Sequence, residues 1–379
     1  MLREEHHLLR SALRDFAQTR LAPFAAQWDR DHTFPQDALK ELAGLGCFGI
    51  AVPEQYGGAS MDYTAVAVAL EEIAAGDGGV STVISVNNCP VCAILLAFGS
   101  EAQKQQFLRP LASGAALGAF CLTEPHVGSN AAALKTTAVL DGGHYVLNGV
   151  KQFITSGKHA DYAIVIAVTD KAAGKRGMSA FIVPTETPGY TVARLEEKTG
   201  QHSSDTAQIL LENCRVPTSY RIGDEGEGYR IALSSLEGGR IGIAAQAVGM
   251  ARAAFEAALK YAKERESFGQ PIFEHQAVNF RLADMATQIE AARQLVLHAA
   301  ALRDAGVPCL KEAAMAKLFA SEMAERVCSD AIQIHGGYGY VTDFPVERIW
   351  RDVRVCQIYE GTSDIQRMLI GRELARSGG

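Results

Sequence analysis

The sequence predicts an α+β protein in which a helical N-terminal domain, a central β-domain and a C-terminal helical bundle follow one another. Three observations support this order. Ala, Leu and Glu recur at helical spacing up to residue 118, short β-rich runs occupy the chain up to residue 225, and long helical patterns return from residue 226. A chain of 379 residues also exceeds what one hydrophobic core usually supports, so several domains are expected.

Residues 1–118 are predicted to form the α-helical domain. Glycine and proline cluster near residue 35 and at 53–58, 76–79 and 110–114. Because these two residue types interrupt helices, the clusters mark the turns between successive helices.

Residues 119–225 are predicted to form the β-domain. Tyr162–Val168 and residues 180–183 are short runs rich in β-branched and aromatic residues. Glycine-containing segments at 141–143 and 173–177 supply the turns between such runs.

Residues 226–379 are predicted to be helical again, beginning after a glycine-rich loop at 223–228. Apolar residues there alternate three- and four-residue steps, which places one apolar stripe along a helix of up to about eight turns. The stripe consists of Val278, Leu282, Met285, Ile289, Ala292, Val296 and Ala299. It must be buried against neighbouring helices, so a bundle is expected.

The overall charge argues against two classes of partner. The chain has 36 basic and 43 acidic residues and a net charge of −7, which is unfavourable for binding nucleic acid or an anionic membrane surface. The first ten residues carry charges, and no uninterrupted apolar stretch approaches the length needed to cross a bilayer. We therefore expect a soluble, cytoplasmic protein without membrane insertion.

Cysteine and histidine usage indicates no metal centre. The eight cysteines are scattered among small or apolar neighbours, as expected of reduced, buried thiols. Cys89 and Cys92 have redox spacing, but they lack the sequence context of a redox motif. The ten histidines show no zinc-binding spacing.

Glu360 is the first candidate catalytic residue. It lies in Q-I-Y-E-G-T-S-D-I-Q at 357–366, directly before Gly361, and no adjacent residue would neutralise it. Such a carboxylate suggests a base. The alternative is an ordinary surface glutamate at a loop-to-helix junction, with Thr362 or Ser363 capping a helix that begins near Asp364.

Several other motifs accompany this run and resemble those of the acyl-CoA dehydrogenase family, in the same order and at similar spacing. They are F-P-Q-D at 34–37, V-P-E-Q-Y-G-G at 52–58, L-T-E-P-H-V-G-S-N at 122–130, F-I-T-S at 153–156, R-E-S-F-G-Q-P-I at 265–272, H-Q at 275–276, Q-I-H-G-G-Y-G at 333–339 and R-D-V-R at 351–354. The resemblance covers nearly the whole chain. It implies an N-terminal helical domain, a β-domain, a four-helix bundle and a homotetramer or homodimer.

The resemblance also implies an FAD cofactor lying between the β-domain and the bundle. A hydride acceptor is needed because no side chain can take a hydride. The chain has neither a dinucleotide-binding G-x-G-x-x-G after a strand nor a P-loop. The residues matching the family's flavin contacts are Leu122, Thr123, Ser129, Phe153, Thr155, Arg265, Phe268, Gln276, Gln333, Gly336, Gly337, Thr362 and Asp364.

In the family several of these contacts are made across a subunit interface. Arg265 matches a residue near the pyrophosphate, for which its guanidinium is suited. For His335 to Gly339, direct cofactor contact and a simple turn between bundle helices remain open.

Two departures from the family pattern stand near the implied flavin. Phe153 replaces the commoner Trp, which keeps an apolar face but loses an indole donor and should only tune the site. His126 and Asn130 replace the commoner Gly and Asp, which leaves the shape of that loop open.

By the same resemblance Glu360 is the base that removes the pro-R α-hydrogen of an acyl-CoA, while the β-hydrogen passes as hydride to flavin N5. The product would be a trans-2-enoyl-CoA. Ser129, Glu237, Arg240 and Gly361 match substrate-binding positions. Some members of the family carry the base at another position, which matches Gly239 here. A glycine has no side chain that could ionise, so this position cannot supply the base. For Glu237 and Arg240 a local i,i+3 ion pair at a helix start is the alternative.

The leading hypothesis is therefore a short- or branched-chain acyl-CoA dehydrogenase of fatty acid metabolism or branched-chain amino acid degradation. Its electrons would pass to an electron-transferring flavoprotein. The alternatives are a same-fold acyl-CoA oxidase, a specialised CoA-thioester desaturase, and a catalytically silent flavoprotein that serves as a binding subunit. The intact run from Glu360 to Thr362 argues against a catalytically silent protein. The chain length of 379 residues argues against the larger oxidases.

Overall fold

A computed structural model describes residues 2–377, in which helices, a β-sheet and helices follow one another in the predicted order. The α+β prediction is confirmed. The first strand begins at Gly118 and the last helical region begins at Gly228.

The N-terminal region consists of eight α-helices, several of them joined without a break by π-helical turns. They are α1 (Glu4–Phe16), α2 (Ala22–Asp31), α3 (Gln36–Gly44), α4 (Tyr63–Gly76), α5 (Gly78–Val86), α6 (Ala93–Phe98), α7 (Glu101–Gln103) and α8 (Arg109–Ser113). Asp62 and Asp77 cap α4 and α5, since their carboxylates accept from the N–H groups of Ala65 and Val80 at 2.8 and 2.9 Å. Both helices are almost entirely buried.

The sequence predicted no uninterrupted apolar stretch of bilayer-crossing length, but the helical run Gly78–Phe98 is long and apolar enough on average. By length and hydropathy it is the one helical run in residues 2–377 that qualifies. Polar residues such as Ser81 and Asn87 interrupt it, and 78% of its most apolar window is buried inside the protein. Its apolar side chains therefore belong to the core.

The middle region folds into one eight-stranded sheet with the order β6-β7-β3-β2-β4-β5-β8, and β1 pairs with β4 in parallel. The strands are β1 (Gly118–Cys121), β2 (Thr137–Asp141), β3 (His144–Thr155), β4 (Tyr162–Val168), β5 (Met178–Pro184), β6 (Tyr190–Leu195), β7 (Thr206–Pro217) and β8 (Arg221–Ile222). The predicted turns at 141–143 and 173–177 join β2 to β3 and β4 to β5.

Strand β4 shows why this sheet sits in the middle of the molecule. Ile164 and Ile166 point to a core shared with Phe107 and other N-terminal residues, whereas Val165 and Ala167 point to a second core on the opposite face. With both faces buried, the strand is apolar at every position, as the sequence run indicated.

The C-terminal region contains the hairpin β9 (Glu266–Ser267) and β10 (Gln270–Pro271) and five further helices. These are α9 (Gly228–Glu264), α10 (Gln276–Asp304), α11 (Leu310–His335), α12 (Val346–Val353) and α13 (Ser363–Ser377). In α10 six of the seven stripe residues are buried and Val278 is partly buried, which confirms the predicted stripe. Because the buried face of α9 also packs against α4, the bundle and the N-terminal helices share one core.

Candidate active site

Glu360 lies in a turn between a short 3₁₀ segment (Arg354–Gln357) and α13. Both Glu360 and Gly361 have positive φ angles, 55° and 90°. A left-handed conformation is unfavourable for a residue with a side chain, so the surrounding structure must hold this turn in place. Thr362 Oγ1 accepts from the N–H of Ile365 at 3.4 Å and begins α13, as the junction interpretation expected.

The carboxyl of Glu360 points inward and lies against Gly239 of α9. A Cβ atom at Gly239 would be 2.6 Å from Glu360 Oε2 and 2.9 Å from Cδ, closer than real atoms approach. The helix therefore reaches the carboxyl because residue 239 has no side chain. Glu360 is not the ordinary surface glutamate of the alternative interpretation.

The environment of the carboxyl is that of a base working near neutral pH. Glu360 Oε2 is shielded from solvent and has no hydrogen-bond partner. Burial raises the pKa of Glu360 to about 7, although the positive charges of Arg240 and Lys317 act in the opposite direction. A carboxyl with such a pKa can accept a proton efficiently at physiological pH.

Arg240 contributes to this environment from the next position of α9. Its side chain is buried and its Nε has no hydrogen-bond partner. Burial lowers the pKa of Arg240, while the negative charges of Glu360 and Glu237 raise it. An unpaired donor this close to the carboxyl is available to a bound ligand.

Lys317 and Gln366 hold the turn by its carbonyl groups, and the sequence analysis missed both. Lys317 Nζ donates to Gly361 O at 2.6 Å, and Gln366 Nε2 donates to the same oxygen at 2.8 Å. Lys317 was detectable in principle, since it falls on the stripe of Ala313, Ala320 and Ala324 that α11 buries. A lysine on an apolar stripe indicates a specific polar partner.

Tyr359, the residue before Glu360, is held by a side-chain contact with α9. Its hydroxyl donates to Gln246 Oε1 at 2.9 Å and lies 3.5 Å from Cys356 Sγ. Because Gln246 is on α9 two turns after Gly239, the same face of this helix contacts the Tyr359 hydroxyl and the Glu360 carboxyl.

The predicted alternative for Glu237 and Arg240, a local ion pair at a helix start, is wrong. Both residues lie in the third and fourth turns of α9, and Glu237 pairs instead with Arg303 of α10 at 3.5 Å. Arg303 also lies over the ring of Tyr63, 4.4 Å from its centre. Glu237 faces a cleft of about 600 Å³ whose lining includes Leu310. The cleft has room for a ligand, and the predicted role of Glu237 in substrate binding stays a prediction.

On the β-domain, Leu122 and Thr123 directly follow β1 and are held against β3. Lys151 Nζ donates to Leu122 O at 3.1 Å, and Gln152 N donates to Thr123 O at 2.9 Å. Lys151 is fully buried and also pairs with Glu124 at 2.9 Å, a buried ion pair that sequence reasoning did not find.

Phe153 and Thr155 lie on β3 close to this junction. A bulge between Lys151 and Ile154 places Phe153 at φ 58°, with 62% of its surface exposed. An exposed aromatic face beside half-buried polar residues suits a planar ring system. Ser129 is exposed in the adjoining loop.

A second group of predicted cofactor residues surrounds a cleft of about 530 Å³ at the end of α9. Its lining includes Arg265, His335, Gly336 and Gly337. A Cβ atom on either glycine would meet nothing within 4 Å, so the backbone there is open to a ligand. His335 Nε2 is buried without a partner, and Arg265 supplies a guanidinium that suits phosphate oxygens. The segment is thus both a turn, residues Gly336–Gly339, and part of a cleft.

The remaining residues of this group are strongly exposed. Phe268 is 98% exposed at the tip of the β9–β10 hairpin, and Gln276 and Gln333 lie on the surface at the start of α10 and the end of α11. Asp364, in the first turn of α13, is also exposed.

The structure does not bring these two groups together within one chain. Gly239, which touches Glu360, and Glu264, which precedes Arg265, are separated by about 38 Å along α9 at the rise of an α-helix. The residues near Glu360 and those near Arg265 therefore lie far apart within one chain.

One group of ligand-like side chains lies elsewhere in residues 2–377. Glu5, His6 and Asp62 place potential metal ligands within 4.8 Å of one another. Arg3 forms ion pairs with both carboxylates, so this charge is already compensated.

Three successive domains, a shielded carboxyl in the bundle and an exposed aromatic face on the β-domain are the arrangement expected of a flavoprotein oxidoreductase. The models of the acyl-CoA dehydrogenase N-terminal, middle and C-terminal domains match residues 3–115, 119–214 and 226–375. The chain belongs to the acyl-CoA dehydrogenase family, whose members are FAD-dependent enzymes.

Comparison with individual proteins agrees. The chain is 47% identical to the human mitochondrial short-chain specific acyl-CoA dehydrogenase, over 99% of this chain and 91% of that protein. It is similar to butyryl-CoA dehydrogenase from Megasphaera elsdenii, with a TM-score of 0.96, 42% identity and 99% coverage of both chains.

Two further solved structures bear on cofactor and partner. A chain from work on the electron-transferring flavoprotein of Acidaminococcus fermentans has a TM-score of 0.97 at 46% identity and 99% coverage of both chains. A glutaryl-CoA dehydrogenase from Mycobacterium smegmatis in complex with FADH2 has a TM-score of 0.94 at 32% identity, covering 100% of this chain and 96% of that one.

Proposed function

We propose that this protein removes the α- and β-hydrogens of a short-chain acyl-CoA, with Glu360 as the base. The observation that carries the proposal is the shielded Oε2 of Glu360, which lies against Gly239 without a hydrogen-bond partner. An unpaired buried carboxyl is unfavourable for stability, so its presence indicates a function. The similarity to short-chain specific enzymes supports the acyl length.

The residues of the site have distinct tasks in this reaction. Glu360 accepts the α-proton at Oε2, and its backbone N–H donates to the thioester oxygen as negative charge develops there. Gly361 leaves room for the acyl chain beside the turn. Glu237, at its cleft, and Arg240, with its unpaired Nε, bind the substrate. When bound, FAD accepts the β-hydrogen as a hydride.

The β-domain and the end of α9 would hold FAD from two different subunits. Leu122, Thr123 and Thr155 would surround the flavin ring with Phe153 against it, whereas Arg265 would bind the pyrophosphate of a neighbouring subunit's cofactor. The length of α9 supports this arrangement, because it separates Gly239, beside Glu360, from Glu264, beside Arg265, by about 38 Å within one chain. The active form would then be a homodimer or a homotetramer.

The acceptor we propose is an electron-transferring flavoprotein in the cytoplasm. The similarity to the Acidaminococcus fermentans chain supports the acceptor, and eight free, buried cysteines are consistent with a reducing compartment. The shielded base argues against the alternative of a catalytically silent subunit.

Product analysis tests this proposal. The FAD-loaded protein is incubated with butyryl-, isobutyryl-, isovaleryl- and octanoyl-CoA, first under air and then without oxygen but with an artificial electron acceptor. We expect crotonyl-CoA to form fastest, and only with the acceptor. Rapid turnover under air with hydrogen peroxide release would favour the oxidase, and no product from any substrate would favour the silent flavoprotein.

A further inference from the structure

Lys317 is a buried cation beside the candidate base for which neither the fold nor the proposed chemistry gives a reason. Its side chain is fully shielded within α11. Its Nζ donates to Gly361 O at 2.6 Å, so its acceptor is a neutral carbonyl and not a carboxylate. Burial of an ammonium group with only such a partner is unfavourable, and a methionine would fill similar space without a charge.

The groups around Lys317 all belong to the site. The charged or ionisable neighbours that influence it are Cys356, Glu360 of the turn and Arg240 of α9. Burial lowers the pKa of Lys317 to about 8, so the amine still carries its proton at neutral pH. A positive charge therefore stands next to Glu360 under the conditions in which the base must be ionised.

The hydrogen bond from Lys317 to Gly361 O also stabilises an unfavourable backbone conformation. Glu360 and Gly361 are both left-handed, and this turn persists only if its backbone is held. Lys317 holds the carbonyl of Gly361 from α11, while Gln366 holds the same carbonyl from α13 and approaches Glu360 O at 3.4 Å. Of the two donors, only Lys317 carries a charge.

We propose that Lys317 is a positioning residue for proton abstraction: its ammonium group holds the strained turn by the Gly361 carbonyl and presents a positive charge to the Glu360 carboxylate. The inference rests on the proposed function, since it requires Glu360 to be the base. It adds a second residue that sets the geometry and the ionisation of that base without touching the substrate.

The charge has a consequence with a defined sign. Lys317 lowers the pKa of Glu360 and so opposes the effect of burial. Removing the charge should therefore raise that pKa, and protonation should switch off the base at a higher pH than in the wild type. Loss of packing alone would not produce this effect.

The test compares Lys317→Met with Lys317→Gln and Gln366→Leu. The rate of flavin bleaching by butyryl-CoA is measured by rapid mixing across the pH range in which Glu360 titrates. FAD content and thermal unfolding are measured on the same samples. Lys40→Met is the control, because Lys40 is an exposed lysine on α3 whose side chain is 76% exposed.

We expect Lys317→Met to bleach the flavin about tenfold more slowly at neutral pH, with its acid limb moved upward by about one pH unit. Lys317→Gln should show the same displacement with a smaller loss of rate, because the amide can still donate. Gln366→Leu should slow the reaction without moving the acid limb, and Lys40→Met should change neither quantity.

An acid limb that stays in place in both Lys317 variants would overturn the proposal. So would a failure of both variants to fold or to bind FAD, since Lys317 would then be a structural residue. These outcomes are distinct from failure of the proposed function, which is tested separately by whether Glu360→Gln still reduces the flavin.

Discussion

Glu360 and Gly239 meet in the active site with no space left for a methyl group between them: a Cβ atom at position 239 would lie 2.6 Å from Glu360 Oε2. The Glu360 carboxyl and α9 are therefore in close contact at this point. A side chain at residue 239 and the observed position of the Glu360 carboxyl exclude one another.

Gly239→Ala should separate activity from stability. The methyl group must displace the Glu360 carboxyl, and flavin reduction by butyryl-CoA should become about tenfold to a hundredfold slower, as expected for a base misplaced by about 1 Å. Alanine is favoured over glycine in a helix by about 1 kcal/mol, which offsets part of the strain. Rapid mixing and thermal unfolding measure the two effects.

Gly371→Ala is the matched control, because Gly371 is in α13 and an added Cβ atom there meets nothing within 4 Å. It should keep normal rates and gain slightly in stability. Normal flavin reduction in Gly239→Ala would show that the carboxyl is not required where the structure places it.

Glu360→Gln should nearly abolish flavin reduction while FAD content and acyl-CoA binding persist, because the amide cannot accept the α-proton. In the wild type the rate should fall as the pH drops through about 7, where the carboxyl becomes protonated. Stopped-flow bleaching of the flavin at several pH values checks both statements. Near-normal bleaching in the variant would mean that another residue is the base.

The same substitution should stabilise the fold at alkaline pH. The pKa of Glu360 is about 7 in the folded protein and 4.5 ordinarily. The contribution of this carboxyl to stability is therefore fully present below pH 4.5 and is lost as the pH rises through about 7. At pH 8 Glu360→Gln should therefore exceed the wild type in unfolding free energy by about 3 kcal/mol. Denaturant unfolding at pH 5 and pH 8 measures the difference, which should shrink at the lower pH.

Arg265→Ala should weaken FAD binding by about tenfold to a hundredfold, because a guanidinium contact to phosphate is stronger than an ordinary surface ion pair. Fluorescence titration of the apoprotein with FAD measures this. Arg265→Lys keeps the positive charge but loses the two-pronged guanidinium, so its FAD affinity should lie between those of the wild type and Arg265→Ala. Unchanged affinity with a lower unfolding temperature would make Arg265 a structural residue.

Coexpression of Arg265→Ala with Glu360→Gln tests whether two subunits build each site. If Arg265 serves the neighbouring subunit's cofactor, a mixed dimer contains one site with both changes and one site with neither. Random pairing should then recover about a quarter of the wild-type activity. If each chain served its own cofactor, no mixed site would be intact, and at an FAD concentration too low to load Arg265→Ala the activity would stay near zero.

The sequence predicted the features that depend on local pattern. The α10 stripe from Leu282 to Ala299 is buried as expected, and Glu360 stands at a turn followed by a helix that begins at Ser363. Periodicity and capping residues are local signals, so a single sequence carries them.

The unpredicted features join residues far apart in the chain. Glu237 pairs with Arg303 rather than Arg240, and Lys317 reaches Gly361 from another helix. Both partners are chosen by the packing of helices, which no spacing rule contains. The left-handed turn at Glu360 could not be predicted for the same reason, since Lys317 of another helix helps to hold it.

The 37-residue helix α9 imposes a constraint on how this protein can change. It touches Glu360 at Gly239 and leads to Arg265 at its C-terminal end, so its length sets the spacing between these two parts of the chain. One residue inserted between Gly239 and Arg265 would advance the far end by about 1.5 Å and rotate it by about 100°. Insertions and deletions in evolution or engineering should thus be confined to the loops, while the length of α9 stays constant.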